Sequence, residues 1–216
     1  MADLASALNA YLSLVARLGA SAAVLDERRA LLQDLLARQG AAKRTQDAYP
    51  PMVEALLAVL SPPQKVLAMT CAREFFYFWL DDMKRVVEIT SRSGFSTHNP
   101  VFPIESNFDL LIARIEGEAF ESYPPSLELF LGKLFEDGMA NADIRPRELI
   151  LQALLYLLEP HPFRSTSYRM AVDALLLHLS DSGERELLLE TVRAYFPYWQ
   201  SFPFAHQRQA AGDEPG

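Results

Sequence analysis

Apolar residues return every three or four positions along almost the whole chain, and no stretch alternates as a strand does. Residues 3–18 place Leu4, Leu8, Tyr11, Leu12, Val15 and Leu18 on one helical face, and Gly19 supplies a stop. Ser21 can cap a second helix running to about residue 39. A polar linker, 41–49, precedes Pro50-Pro51, which opens a short helix to Leu60. Ser61-Pro62-Pro63-Gln64 then has the spacing of a capping box, with prolines where no amide partner is needed. The helix it starts is predicted to run to about Ile89. One stripe holds Met69, Ala72, Phe76, Trp79, Leu80, Met83 and Val87, while Leu67, Cys71, Phe75 and Phe78 lie on another side. A helix apolar on several sides needs neighbours all round, so 62–89 is the expected central helix, with Phe76, Leu80 and Met83 largely buried.

Periodicity lapses over 90–107, which carries Gly94, Pro100 and Pro103, and long irregular segments often carry function. It resumes in predicted helices at 107–121 (capped by Ser106 and Asp109), 125–137, from Pro146 to before Pro160, 166–180 and 184–200. Pro197 and Pro203 are expected to end the last of these and leave an extended aromatic segment over the surface. The pattern predicts an all-α fold, an irregular multi-helix bundle of about nine helices. It forms a single domain over 1–204 with a sub-boundary at 90–107, and 205–216 is a flexible tail. A faint echo, Arg147-Glu-Leu-Ile-Leu-Gln against Arg185-Glu-Leu-Leu-Leu-Glu, leaves a short α-solenoid of helical hairpins as the alternative.

Charge changes the picture only in the second half. The net charge is -8 over 216 residues, yet residues 1–106 balance 11 basic against 11 acidic side chains. Residues 107–144 hold Arg114 and Lys133 against eight acids, a net of -6. Such a surface repels phosphate backbones, which argues against nucleic acid, and attracts basic proteins. No run reaches the roughly 18 to 20 apolar residues of a membrane span. The lone Cys71 suits a reducing compartment, and the N-terminus lacks a basic signal-peptide region, so a cytoplasmic location is expected.

The candidate chemistry is thin. The four histidines show no HxxxH, HExxH or ExxH spacing, so no metal or cofactor is expected. Walker A, GxGxxG and GxSxG are absent from the sequence, and no catalytic residue is assigned. His178 shares an apolar face with Ala171, Ala174 and Leu175 and reads as a hydrogen-bonded core histidine. The expected function is therefore a non-enzymatic interaction module of adaptor, chaperone-like or inhibitor type, recognising a basic protein partner. Its contact residues are Asp109, Glu116, Glu118, Glu121 and Glu128, on two adjacent helices, with Tyr198 and Trp199 as aromatic anchors. The alternative is a bundle binding or transforming an apolar ligand in a cavity lined by Phe75, Phe78 and Trp79. Loop 91–105, with Arg92 and His98, would gate that cavity. Helix 1, uncharged between Asp3 and Arg17, is either packed inside the monomer or the interface of a homo-oligomer.

Overall fold

The computed structural model describes residues 3–39, 43–92, 94–99, 101–103, 105 and 107–202. Among them are ten α-helices, one 3-10 turn and no strand. The chain divides into two compact units, Met1–Val101 and Phe102–Gly216, at a point inside the aperiodic stretch 90–107.

Unit 1 contains α1 (Leu4–Arg17), α2 (Ala22–Ala37), α3 (Tyr49–Leu57), α4 (Pro62–Trp79) and α5 (Met83–Arg92). Asp3 Oδ1 caps α1 by accepting from Ser6 N at 2.6 Å, and Ser21 Oγ caps α2 by accepting from Val24 N at 3.4 Å. Gln64 Oε1 reaches back to Ser61 N at 3.2 Å, as the capping-box spacing implies. Helices α1, α2 and α4 pack on one another and α3 lies against α2 and α4. The apolar face of α1 is spent inside this unit, with Tyr11 and Val15 fully buried; Ser6, Asn9 and Ser13 face out.

The expected helix 62–89 is two helices. Asp81 adopts a left-handed backbone (φ 62°), and Asp82 N reaches Tyr77 O at 2.9 Å while Asp81 N reaches Phe78 O at 3.1 Å. This is a Schellman closure, and Asp82 Oδ1 then caps α5 by accepting from Arg85 N at 3.1 Å. The break turns the second half of the predicted stripe outward. Met83 is 51% exposed and Val87 66%, while Phe76 and Leu80 are half-buried. The buried rings are Phe75, Phe78 and Trp79 instead.

Unit 2 contains α6 (Phe108–Gly117), α7 (Pro125–Glu136), α8 (Asn141–Leu158), α9 (Ser165–His178) and α10 (Ser182–Ser201). Helix α8 touches the other four and is the core helix of the unit, with Ala153, Leu154, Leu155, Leu157 and Leu158 all buried along its second half. Helices α6 and α7 both pack on α8, and among the described residues they do not pack on each other, contrary to the adjacency expected of them.

Two prolines expected to bound helices do not. Helix α8 begins at Asn141, ahead of Pro146, and α10 continues through Pro197 to Ser201. Both prolines are exposed, and each helix absorbs the lost amide bond and the crowding at the carbonyl four residues back. The N-cap of α6 is Asn107, whose Oδ1 accepts from Leu110 N at 2.9 Å; Ser106 lies outside the described residues, as do 203–216 with the expected tail. The echoed hexapeptides meet in an ion pair, but their leading arginines do different work. Arg147 pairs with Glu190 at 3.2 Å, whereas Arg185 Nε donates to Leu179 O at 2.8 Å.

Candidate functional site

All five acidic residues singled out by the sequence are exposed. Asp109 and Glu128 stand in the first turns of α6 and α7, where carboxylates also favour the helix dipole. Glu116 and Glu118 close α6, and Glu121 lies in the connection 118–124. That connection is set by Ala119, left-handed at φ 49°, with Phe120 N donating to Ile115 O at 3.3 Å.

Both cations of 107–144 are already engaged. Arg114 Nε donates to Glu118 Oε1 at 3.0 Å and to Tyr156 OH at 3.2 Å, and its Nη1 donates to Glu105 Oε1 at 2.9 Å. Tyr156 OH donates to Glu118 Oε2 at 2.7 Å; that bond, and then Arg114, hold the Glu118 carboxyl below its ordinary pKa. Lys133 Nζ meets Asp137 Oδ1 at 2.6 Å. Among the described residues, Asp109, Glu116, Glu121 and Glu128 have no ion-pair partner. Glu118 is thus a local tether, and the other four supply the uncompensated field.

The two aromatic anchors separate. Tyr198 is half-buried, its ring 5.2 Å from Phe130 of α7. Trp199 is 1% exposed and packs against Phe163 at 4.3 Å and Tyr168 at 4.8 Å. It belongs to the core of unit 2, not to a surface.

The residues proposed for an apolar cavity are filled by protein. Tyr11 meets Phe75 edge-on at 5.9 Å and Phe78 at 5.6 Å, and Tyr49 lies 4.9 Å from Trp79. Trp79 Nε1 donates to Gln39 Oε1 at 3.0 Å. The His98 side chain is exposed, and the Arg92 side chain lies outside the described residues.

What sequence reasoning missed is an ionic cluster beneath that loop. Arg28 is fully buried; its Nη1 donates to Glu74 Oε2 at 2.8 Å and Tyr11 OH at 2.9 Å. Its Nε donates to Asn99 Oδ1 at 2.9 Å and its Nη2 to His98 O at 3.0 Å. Glu74 accepts from Tyr11 OH and from Ser96 N, each at 2.8 Å. Burial raises the Tyr11 pKa well above the phenol range and pushes the Cys71 thiol up to about 12, so neither ionises near neutrality. Each of these groups faces another protein group, which is the arrangement of a tie and not of a reactive site. The available signal was Arg28 itself, standing between Leu25 and Leu31-Leu32 on an otherwise apolar stripe.

In unit 2, His178 Nε2 accepts from Glu105 N at 3.0 Å, so Nδ1 carries the proton and donates to Ala174 O at 2.9 Å. Burial lowers its pKa, partly opposed by the Ala174 bond and Glu105. The neutral ring is the native form. Its contribution to stability is therefore complete above the ordinary histidine value of about 6.5 and is lost as pH falls below it. Urea midpoints of unit 2, followed by Trp199 emission in a Trp79→Phe background, should decline from about pH 6.5 downward. In His178→Gln that decline should be smaller; an unchanged profile would remove His178 as its source.

Among the described residues, no three His, Cys, Asp or Glu side chains converge as metal ligands would, and no helix is long and apolar enough to cross a membrane. No protein family, curated protein or solved structure matches this chain.

Proposed function

We propose that the chain is an α-helical interaction module that receives a basic protein partner on the acidic surface of unit 2. The observation that carries the reading is the state of its cations: Arg114 and Lys133 are both held by carboxylates, so Asp109, Glu116, Glu121 and Glu128 face water without local neutralisation. A field of one sign steers an oppositely charged partner and accelerates encounter more than it deepens affinity. The reading assigns no catalytic step, and a cytoplasmic setting fits it.

Affinity capture at low ionic strength followed by association kinetics tests this. The variant to use is Glu116→Lys/Glu121→Lys/Glu128→Lys, which spares the Glu118 tether. It should associate at least about tenfold more slowly with little change in dissociation. The wild-type on-rate should fall as salt shortens the screening length, about 8 Å at physiological ionic strength. Equal rates for both proteins at low and high salt would reduce the acidic surface to a solubility feature.

A further inference from the structure

The outer face of α7 holds a notch that the fold itself does not use. Gly132 lies in the interior of the helix, where glycine is among the least favourable residues. It is exposed, and a Cβ added there would meet nothing within 4 Å, so no close packing requires it. Three residues to either side stand Leu129, 50% exposed, and Phe135, 64% exposed. Four residues to either side stand Glu128 and Glu136, both exposed. These positions surround Gly132 on one helical face, because residues three and four apart are neighbours on a helix. Lys133, the cation beside them, is tied to Asp137.

We propose that this strip docks a basic amphipathic α-helix of the partner. The bare backbone at Gly132 opens a groove between the ridges of α7, into which an apolar side chain of the incoming helix fits. Leu129 and Phe135 bury against its apolar face, and lysines or arginines on its flanks meet Glu128 and Glu136. Charge complementarity selects this occupant over an anionic membrane or nucleic acid. The inference rests on the interaction reading above and adds the partner's secondary structure and the contact residues.

The probe is a synthetic leucine–lysine peptide with helical amphipathic spacing, titrated against the full chain by fluorescence anisotropy. A scrambled peptide of identical composition serves as control. The wild type should bind the amphipathic peptide at least about tenfold more tightly than the scrambled one. Gly132→Gln, which fills the notch, should lose about tenfold in affinity, and so should Leu129→Ser/Phe135→Ser. Neither change alters the charge, so circular dichroism and thermal midpoints establish that the variants remain folded. Wild-type affinity in both variants, or equal binding of the scrambled peptide, would overturn the docking strip. The acidic reading would still stand or fall on its own kinetic test, since the strip variants keep every carboxylate. A wild-type dimer in sedimentation that Phe135→Ser converts to monomer would place a second copy on the strip and likewise overturn the proposal.

Discussion

Arg28→Met is expected to destabilise unit 1 by about 3–5 kcal/mol, because it leaves the buried Glu74 carboxylate without its cation. Methionine keeps much of the stem's volume, so the loss is electrostatic and not a cavity. Four acceptors lose a donor at once: Glu74, Tyr11 OH, Asn99 Oδ1 and His98 O. The two tryptophans of the chain make the measurement clean, since Trp79 lies in unit 1 and Trp199 in unit 2. Denaturant unfolding in a Trp199→Phe background reads unit 1 through Trp79 alone. Replacing both partners, Arg28→Met/Glu74→Met, should cost less than the sum of the two single changes, since neither charge is then stranded. Hydrogen exchange at Ser96, whose amide donates to Glu74 at 2.8 Å, should quicken in Arg28→Met as the loop loosens. A loss below about 1 kcal/mol would show that water already reaches the pair.

The parts of this fold that were legible in the sequence are those decided locally. Ser21 and Gln64 cap where their spacing says, and Gly19 closes α1 in the left-handed region at φ 103°. Acidic residues off the apolar stripes stay in water, so their exposure was readable as well. The Asp81-Asp82 break was hidden because two polar residues fit the polar face of a continuing helix. Pro146 and Pro197 misled because the packed faces of α8 and α10 outweigh the local cost of a proline inside a helix. Pairing across distance was not legible at all. Arg28 and Glu74 are 46 positions apart, and no pattern in either neighbourhood names the other. The same limit applies to the candidate site: exposure of Glu116, Glu121 and Glu128 could be read, but not the capture of Glu118 by Tyr156, nor the separation of α6 from α7 across α8.

Trp199 decides whether the aromatic end of α10 is core or contact. As core, Trp199→Ala should cost unit 2 about 3–5 kcal/mol, the range for emptying a buried aromatic site. Trp199→Phe should cost far less. A phenyl ring still fills the space against Phe163 and Tyr168, and the indole Nε1 has no partner among the described residues, so no hydrogen bond is lost. Peptide-resolved hydrogen exchange over α8 and α9 reads this within unit 2. At 1.4 kcal/mol per factor of ten, exchange of the slowest amides should accelerate about 100-fold or more in Trp199→Ala. In Trp199→Phe the acceleration should stay near about tenfold. Small and equal effects for both variants would return Trp199 to the surface and make it available as an anchor for the partner. The large difference expected between them follows from burial alone, and it leaves the proposed partner recognition to the exposed acids and the outer face of α7.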